Sequence, residues 1–447
     1  MTLLDSIFFR TGGCRGRNGM TKEGINVALL GLGTVGTGVY KIMQRQRPQM
    51  QQKLNTYLNI RSILVRNVLK HQSRIENPEV LTTSYDQILE DPEIDLVIEL
   101  MGGMEPAYTY IRSALEAGKS VVTANKDLIA DRGGELLQIA EENHVELRFE
   151  AAVAGGIPII SPLKNSLAAN EIRTIMGIVN GTTNYILSKM TNEGMDYGEA
   201  LLEATKLGYA EADPTADVEG YDAGRKIAIL ATIAFHSRVT FRDVYTEGIT
   251  KITAKDISYA KTLGRVIKLI AMANNTPEGI EVMVRPLLIP QDHPLASVSG
   301  SYNAVYVDGD AVEDVMFYGR GAGEMPTASA VMGDVFSVAR RIVDHTQGST
   351  RDNVYRAIPI KRVENTSSRY FIRMQVEDKP GVLATIASIF GNNSVSIEQV
   401  IQKDKIENDA ELVIITSSVK ERHIKDALLI LESSSVVRRV ATMLRVY

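Results

Sequence analysis

The sequence holds a single cysteine, Cys14, in 447 residues. One cysteine forms no internal disulfide, which fits a reducing, cytoplasmic setting. Cys14 also precedes the first strand-like run, so thioester chemistry is excluded unless Cys14 itself is the nucleophile. No apolar run approaches the roughly eighteen residues that span a bilayer, so no membrane partner is expected. Basic residues form no blocks and the formal net charge is −5, which argues against nucleic acid. What remains is an ordinary globular composition, 44% hydrophobic and 23% charged, in a chain long enough for two or three domains with full cores.

The leader, residues 1–20, has no periodicity and no signal-peptide plan. It reads as a disordered tail, or as an upstream extension with Met20 as the true start. INVALL (25–30) is a short apolar, β-rich run; GLGTVG follows directly, and VGTGVYKIM continues at helical spacing. Gly31, Gly33 and Gly36 thus form G-x-G-x-x-G at a strand-to-helix turn. The first permits the tight turn, the second lets backbone approach a pyrophosphate, and the third allows close helix packing. The helix N-terminus offers N–H groups to phosphate. The next strand, LNIRSILVRN (58–67), lacks the terminal acid that takes a ribose 2′-hydroxyl. It ends beside Arg66, which suits a 2′-phosphate, so NADP is favoured over NAD. DLVIELMGG (95–103), SVVTANKDLIA and HVELRFEAAVAGGIPII (144–160) continue the alternation of strands and helices. The fold class is therefore an α/β Rossmann-type nucleotide domain over 21–155. Lys126 stands just past a strand end, where open α/β sheets bind ligands.

From residue 156 the pattern changes to α+β, and a substrate-binding and dimerisation domain is expected over 156–324. In EIRTIMGIVNGTTNYILSKM (171–190) a polar turn separates strand from helix; Asn180, Thr182 and Thr183 either cap that helix or face a ligand. A second glycine-rich turn in FYGRGAGEMPTASAVMGD leads into a helix, 325–345, expected to return to the nucleotide domain. Residues 346–368 read as a connector. The tail, 369–447, gives the β-α-β-β-α-β order of a small, separate ferredoxin-like module.

AEADPTADVEGYDAGRK (210–226) crowds Glu211, Asp213, Asp217, Glu219 and Asp222 against Arg225 and Lys226. Asp222 and Lys226 are four apart on one helical face, acid first, the favourable order. From the residues alone a solvated acidic loop, a metal site and a pocket for a small cationic substrate stay open. The metal reading is the weakest, because neither D-x-D-x-D nor H-x-x-x-H occurs here.

Taken in order and spacing, GLGTVG, TANKDLIA, NGTTNYIL, GYAEADPTADVEGYDAGRK and GRGAGEMPTASAVMGD resemble the homoserine dehydrogenases. DKPGVLATIASIF resembles the start of an ACT regulatory domain. The resemblance spans about residues 25–447 and implies interconversion of L-homoserine and L-aspartate 4-semialdehyde with NADP(H), NAD being the alternative. It implies that Lys226 is the proton donor, that Asp222 holds Lys226 or a water, and that Lys126 shares the proton work near the nicotinamide. Glu211 matches the group that binds the substrate ammonium, and Asp217, Tyr209 and Thr182 match substrate-side positions. Gly31, Gly33, Thr34, Val35, Gly36, Arg66, Gly102, Lys126 and Gly321 are the expected cofactor contacts. EAAVAGGIP resembles the family's monovalent-cation loop, with Glu150 and backbone oxygens near Val153, Gly155 and Ile157 holding sodium. The ACT-like module implies feedback by L-threonine, bound near Asp378–Val382 and Asn392–Val395; dimerisation alone is the competing role. A homodimer or homotetramer is expected. No aspartokinase segment is seen ahead of these motifs, so a monofunctional enzyme is expected.

Competing functions differ in chemistry. An aspartate-semialdehyde dehydrogenase needs a cysteine at the nicotinamide, and Cys14 is misplaced for it. A phosphoglycerate dehydrogenase, another ACT-containing dehydrogenase, uses a histidine base, and the six histidines lie outside the expected contexts. A non-enzymatic nucleotide or amino-acid sensor needs the glycines but not the Lys126 and Lys226 pair.

Overall fold

The structure, a computed structural model, describes residues 14–15, 21–22, 24–348, 354–406 and 409–447. Most of the leader therefore lies outside the described residues; Cys14–Arg15 pairs antiparallel with Thr21–Lys22. The chain divides into two compact units, Met1–Ser161 with Ala322–Asn353, and Pro162–Gly321 with Val354–Tyr447.

In the first unit six parallel strands lie in the order Leu81–Thr82, Leu58–Leu64, Ile25–Leu30, Leu96–Glu99, Ser120–Thr123, Leu147–Arg148. The chain order reverses between Ile25–Leu30 and Leu96–Glu99, the position at which doubly wound sheets open a crevice. The central strands are buried on both faces, which is why INVALL and LVIE read as continuous apolar runs. Helix Thr34–Arg45 buries Val39, Tyr40, Ile42 and Met43. Helix Glu324–Val343 packs against it through Ala328, Val331 and Val335. A Cβ on Gly38 would sit 2.7 Å from the Glu324 carbonyl oxygen, so the two helices meet at glycine.

The second unit is built on one long mixed sheet. Its strand order is Glu313–Arg320, Tyr302–Gly309, Ile172–Ile178, Arg265–Thr276, Gly279–Pro290, Val437–Val446, Ser367–Glu377, Asp409–Thr416, Ile397–Ile406. Helices Gly181–Glu193 and Tyr221–Phe235 pack on its first half. The last four strands belong to the C-terminal module, whose fourth strand lies beside its first and whose second is outermost. Tyr370, Ile372, Met374, Ile386, Phe390, Ile414 and Leu431 give that module its own core. It is nevertheless joined edge to edge: Leu287 and Leu288 pair in parallel with Arg445 and Val446. The module was expected to stand apart. No local pattern in the sequence marks this junction, because it rests on backbone pairing between strands far apart in the chain.

Two buried ionic clusters accompany the junction. Arg373 donates to Asp256 (2.8 Å) and Glu411 (3.0 Å), and all three are buried. Arg445 pairs with Glu421 and Glu247, while Arg285 lies 3.5 Å from Glu421.

Candidate functional site

Residues at the carboxyl ends of the first unit's strands form a connected frame. Gly31, at φ 101°, donates its N–H to the Leu64 carbonyl and turns the chain into helix Thr34–Arg45. A Cβ on Gly36 would stand 2.2 Å from the Gly31 oxygen, whereas one on Gly33 would meet nothing within 4 Å. Gly36 is thus needed for packing, and Gly33 leaves its approach open for a phosphate. Thr34 and Val35 open the helix. Arg66 is exposed, two residues past the end of Leu58–Leu64, with no acid paired to it among the described residues.

Glu99, fully buried, ends the neighbouring strand. Its Oε1 accepts from the N–H of Met101 (2.7 Å) and Gly102 (3.1 Å), and its Oε2 accepts from Thr123 Oγ1 (2.6 Å). Asn125 caps helix Lys126–Glu142 by accepting from Leu128 N–H, and its Nδ2 reaches the Gly103 carbonyl at 2.7 Å. The Gly102 turn and the start of the Lys126 helix are therefore one rigid piece. Lys126 is the first residue of that helix, where the dipole opposes a cation. Sequence reasoning passed over Glu99, although a lone acid ending an apolar strand is a signal of a satisfied buried carboxylate.

Glu150 is buried and also tied to backbone. Oε1 accepts from Ile159 N–H (2.6 Å) and Ile160 N–H (2.8 Å), and Oε2 from Ser161 N–H (2.7 Å). Between them the chain turns through Ala154 and Gly155, both left-handed at φ 55° and 54°. Val153 and Ile157 flank this turn and are buried. Among the described residues no three His, Cys, Asp or Glu side chains gather as metal ligands.

In the second unit, helix Tyr221–Phe235 carries Asp222 and Lys226 inward. Lys226 Nζ donates to Asp222 Oδ2 at 2.6 Å and to the Val179 carbonyl at 2.7 Å. Asn180 caps helix Gly181–Glu193 through its Oδ1, and its Nδ2 donates to Asp217 Oδ1 (2.7 Å) and Asp222 Oδ2 (3.0 Å). Burial, reinforced by the Asp222 charge, pushes the Asp217 carboxyl above the usual range, against the Asn180 hydrogen bond. Thr182 Oγ1 donates to the Tyr209 carbonyl (2.7 Å), and the half-exposed Tyr209 ring lies against Tyr185. The five acids of the crowded stretch are thus unlike. Asp213 caps the turn through Thr215, and Glu219 takes a hydrogen bond from Thr250. Glu211 is exposed and unpaired among the described residues. Gly321 is glycine for a packing reason: a Cβ there would fall 1.9 Å from Asn303 Nδ2.

Residues 31–150 match the model of the homoserine dehydrogenase NAD-binding domain, 158–336 that of homoserine dehydrogenase, and 370–434 that of the ACT domain. The homoserine dehydrogenase of Corynebacterium glutamicum is 45% identical over 94% of this chain and 95% of its own. The chain belongs to the homoserine dehydrogenase family. A crystal structure of a homoserine dehydrogenase from Thiobacillus denitrificans superposes with a TM-score of 0.90 at 39% identity, covering 95% of this chain and 98% of that one. A hyperthermophilic archaeal homoserine dehydrogenase in complex with NADPH is 29% identical with a TM-score of 0.61, over 70% of this chain and 97% of its own. As a homoserine dehydrogenase the chain is an NAD(P)-dependent oxidoreductase acting on a CH–OH group, interconverting L-homoserine and L-aspartate 4-semialdehyde. The expectation of a nicotinamide cofactor holds.

One buried cation supports the substrate-side frame without belonging to the acid cluster. Lys268 Nζ donates to the Val298 carbonyl (2.6 Å) and Asn184 Oδ1 (3.1 Å), on the helix that Asn180 caps. Burial pushes its pKa from 10.5 down to about 8. A lysine whose folded pKa lies below its unfolded one costs stability fully below the folded value, and the cost fades as pH rises to the unfolded value. Relative to Lys268→Met, the wild type should therefore gain about 3 kcal/mol of unfolding free energy between pH 8 and 10.5. Urea unfolding of both proteins across that window measures it; parallel curves would show that burial does not depress the Lys268 pKa.

Proposed function

We propose that the enzyme works with NADP(H) and that Lys226 moves the proton. The observation that carries this reading is the buried Asp222–Lys226–Val179 contact. Lys226 has three N–H donors, and two are taken by Asp222 and Val179, so the third is left for a ligand oxygen. When bound, the nicotinamide supplies or accepts the hydride. In the reductive direction Lys226 Nζ gives its proton to the aldehyde oxygen as the alkoxide forms; in the oxidative direction it receives the hydroxyl proton. Lys126 assists the same transfer. Asp222 holds the Lys226 ammonium, Glu211 takes the substrate ammonium, and Asp217, Tyr209 and Thr182 complete the substrate side. An exposed, unpaired Glu211 supports its part.

Arg66 takes the 2′-phosphate of NADP, with Gly31, Gly33, Thr34, Val35, Gly36, Gly102 and Gly321 on the remaining cofactor contacts. The NADPH in the archaeal relative's structure supports this preference. Glu150 and the carbonyls of Val153, Gly155 and Ile157 would hold a sodium ion. Such an all-oxygen set suits a hard cation, and Oε2, which takes one N–H where Oε1 takes two, has a lone pair to spare. L-Threonine binds the ACT module near Asp378–Val382, whose turn is exposed at residues 378–381, and near Asn392–Val395, in a homodimeric or homotetrameric cytoplasmic enzyme.

Steady-state assays with L-homoserine test the cofactor assignment. Arg66→Ala should raise KM for NADP+ roughly 10- to 100-fold and leave KM for NAD+ unchanged, as expected for one lost charged contact. Equal effects on both cofactors would rule out the 2′-phosphate contact.

A further inference from the structure

The geometry points to Asn180 as a positioning residue for proton transfer: its side-chain amide holds Asp217 and Asp222 in one frame with Lys226. This inference rests on the proposed role of Lys226 and adds to it the group that orders its surroundings.

Every hydrogen-bonding position of the amide is in use. Oδ1 accepts from Thr183 N–H and Thr183 Oγ1, both at 2.9 Å, while the two Nδ2 protons go to Asp217 and Asp222. Those contacts fix the amide's orientation, because the reversed one would aim a carbonyl oxygen at two carboxylates. The preceding carbonyl, Val179, takes Lys226. One dipeptide at the end of strand Ile172–Ile178 therefore touches all three charged groups.

Capping explains only half of this. A helix cap needs the acceptor oxygen, which Asp and Ser supply as well as Asn. Nδ2 plays no part in the cap, yet it is spent on two acids 37 and 42 residues away in sequence. The charged groups facing Asp217 are Asp222 and Lys226, both on helix Tyr221–Phe235. Two carboxylates near one lysine leave a net negative charge, and in a buried site one of them tends to take up a proton. The amide opposes this by donating to both. A protonated acid would weaken the grip on the lysine and on any bound cation.

Two substitutions separate the halves. Asn180→Ser keeps a capping oxygen and removes the donors; Asn180→Asp keeps the cap and sets a third carboxylate against the other two. Asn180→Ser should melt near the wild-type temperature, and Asn180→Asp, with a third carboxylate in the cluster, should melt lower but remain folded. For Asn180→Ser, kcat/KM at pH 7 should fall roughly 10- to 100-fold, and the acid limb of the pH–rate profile should move to higher pH. For Asn180→Asp both effects should be larger. An unchanged acid limb in both folded variants overturns the proposal. So does failure of both to fold, since Nδ2 would then serve the fold itself. Full turnover in Lys226→Ala would instead remove the Lys226 reading beneath it; loss in Lys226→Ala with wild-type profiles in both Asn180 variants would remove this inference alone.

Discussion

Alanine at position 226 should lower kcat by about 10²- to 10⁴-fold, the range for losing a positioned proton donor. The side chain is held from two directions, at 2.6 Å by Asp222 and at 2.7 Å by the Val179 carbonyl, so no neighbouring donor can swing into its place without breaking that frame. Arginine should not rescue the activity, because a guanidinium stays protonated and is bulkier and planar. Small primary amines added to Lys226→Ala should restore part of the rate, which a merely structural lysine would not allow. Stopped-flow reduction of L-aspartate 4-semialdehyde with NADPH, beside a thermal melt, checks both points. A kcat within threefold of wild type would end the assignment.

The second large effect concerns stability. Glu421 is fully buried and accepts from Tyr370 Oη at 2.8 Å while pairing with Arg445 and lying 3.5 Å from Arg285. Burial acts against its charge, but Arg445 and Tyr370 outweigh that and hold the carboxyl below the ordinary range. Burial and the Arg445 charge push Arg285 down to about 10. Removing Glu421 strands the buried Arg285 guanidinium and leaves Arg445 with Glu247 alone, and breaking such a cluster costs about 3–5 kcal/mol. Glu421→Ala should lose that amount in urea unfolding at pH 7. Because its folded pKa is depressed, Glu421 stabilises the fold above its unfolded pKa and loses that contribution as pH falls through the folded one. The gap between wild type and variant should accordingly narrow in acid. Glu398→Ala, which breaks the half-exposed Arg369–Glu398 pair, should change stability by less than about 1 kcal/mol. If the two variants lose equal stability, the buried cluster has no special weight.

The sequence made some of this architecture plain and concealed the rest for identifiable reasons. INVALL followed by GLGTVG announced a strand, a turn and a helix because each step has its own local pattern, and the structure places the glycines at that turn. The Asp222–Lys226 contact was legible because both residues stand on one helix, four apart. Asn180 was legible as a cap or a ligand-facing residue, not as a link between two acids. Its other partners come from a short helix and a long one that folding brings to the end of a strand, and no spacing rule reaches across 37 or 42 residues. Lys268 offered no pattern at all, since one lysine in the strand RVIKLIAMANNT reads as a surface position until the strand is found buried. Glu211 shows the opposite case: its neighbours in sequence are acids, but Asp217 and Asp222 are drawn into the interior while Glu211 stays in the exposed turn.

The edge-to-edge pairing of Leu287–Leu288 with Arg445–Val446 has a consequence for how this polypeptide tolerates cutting and rearrangement. The C-terminal module shields a strand end that would otherwise present bare amides and apolar side chains to any passing chain. A truncation ahead of residue 369 would therefore remove more than the ACT module's own fold. It would leave Arg285 without Glu421 and open the backbone of Leu287 and Leu288 to self-association, so buried charge and a bare strand end would be exposed at the same cut.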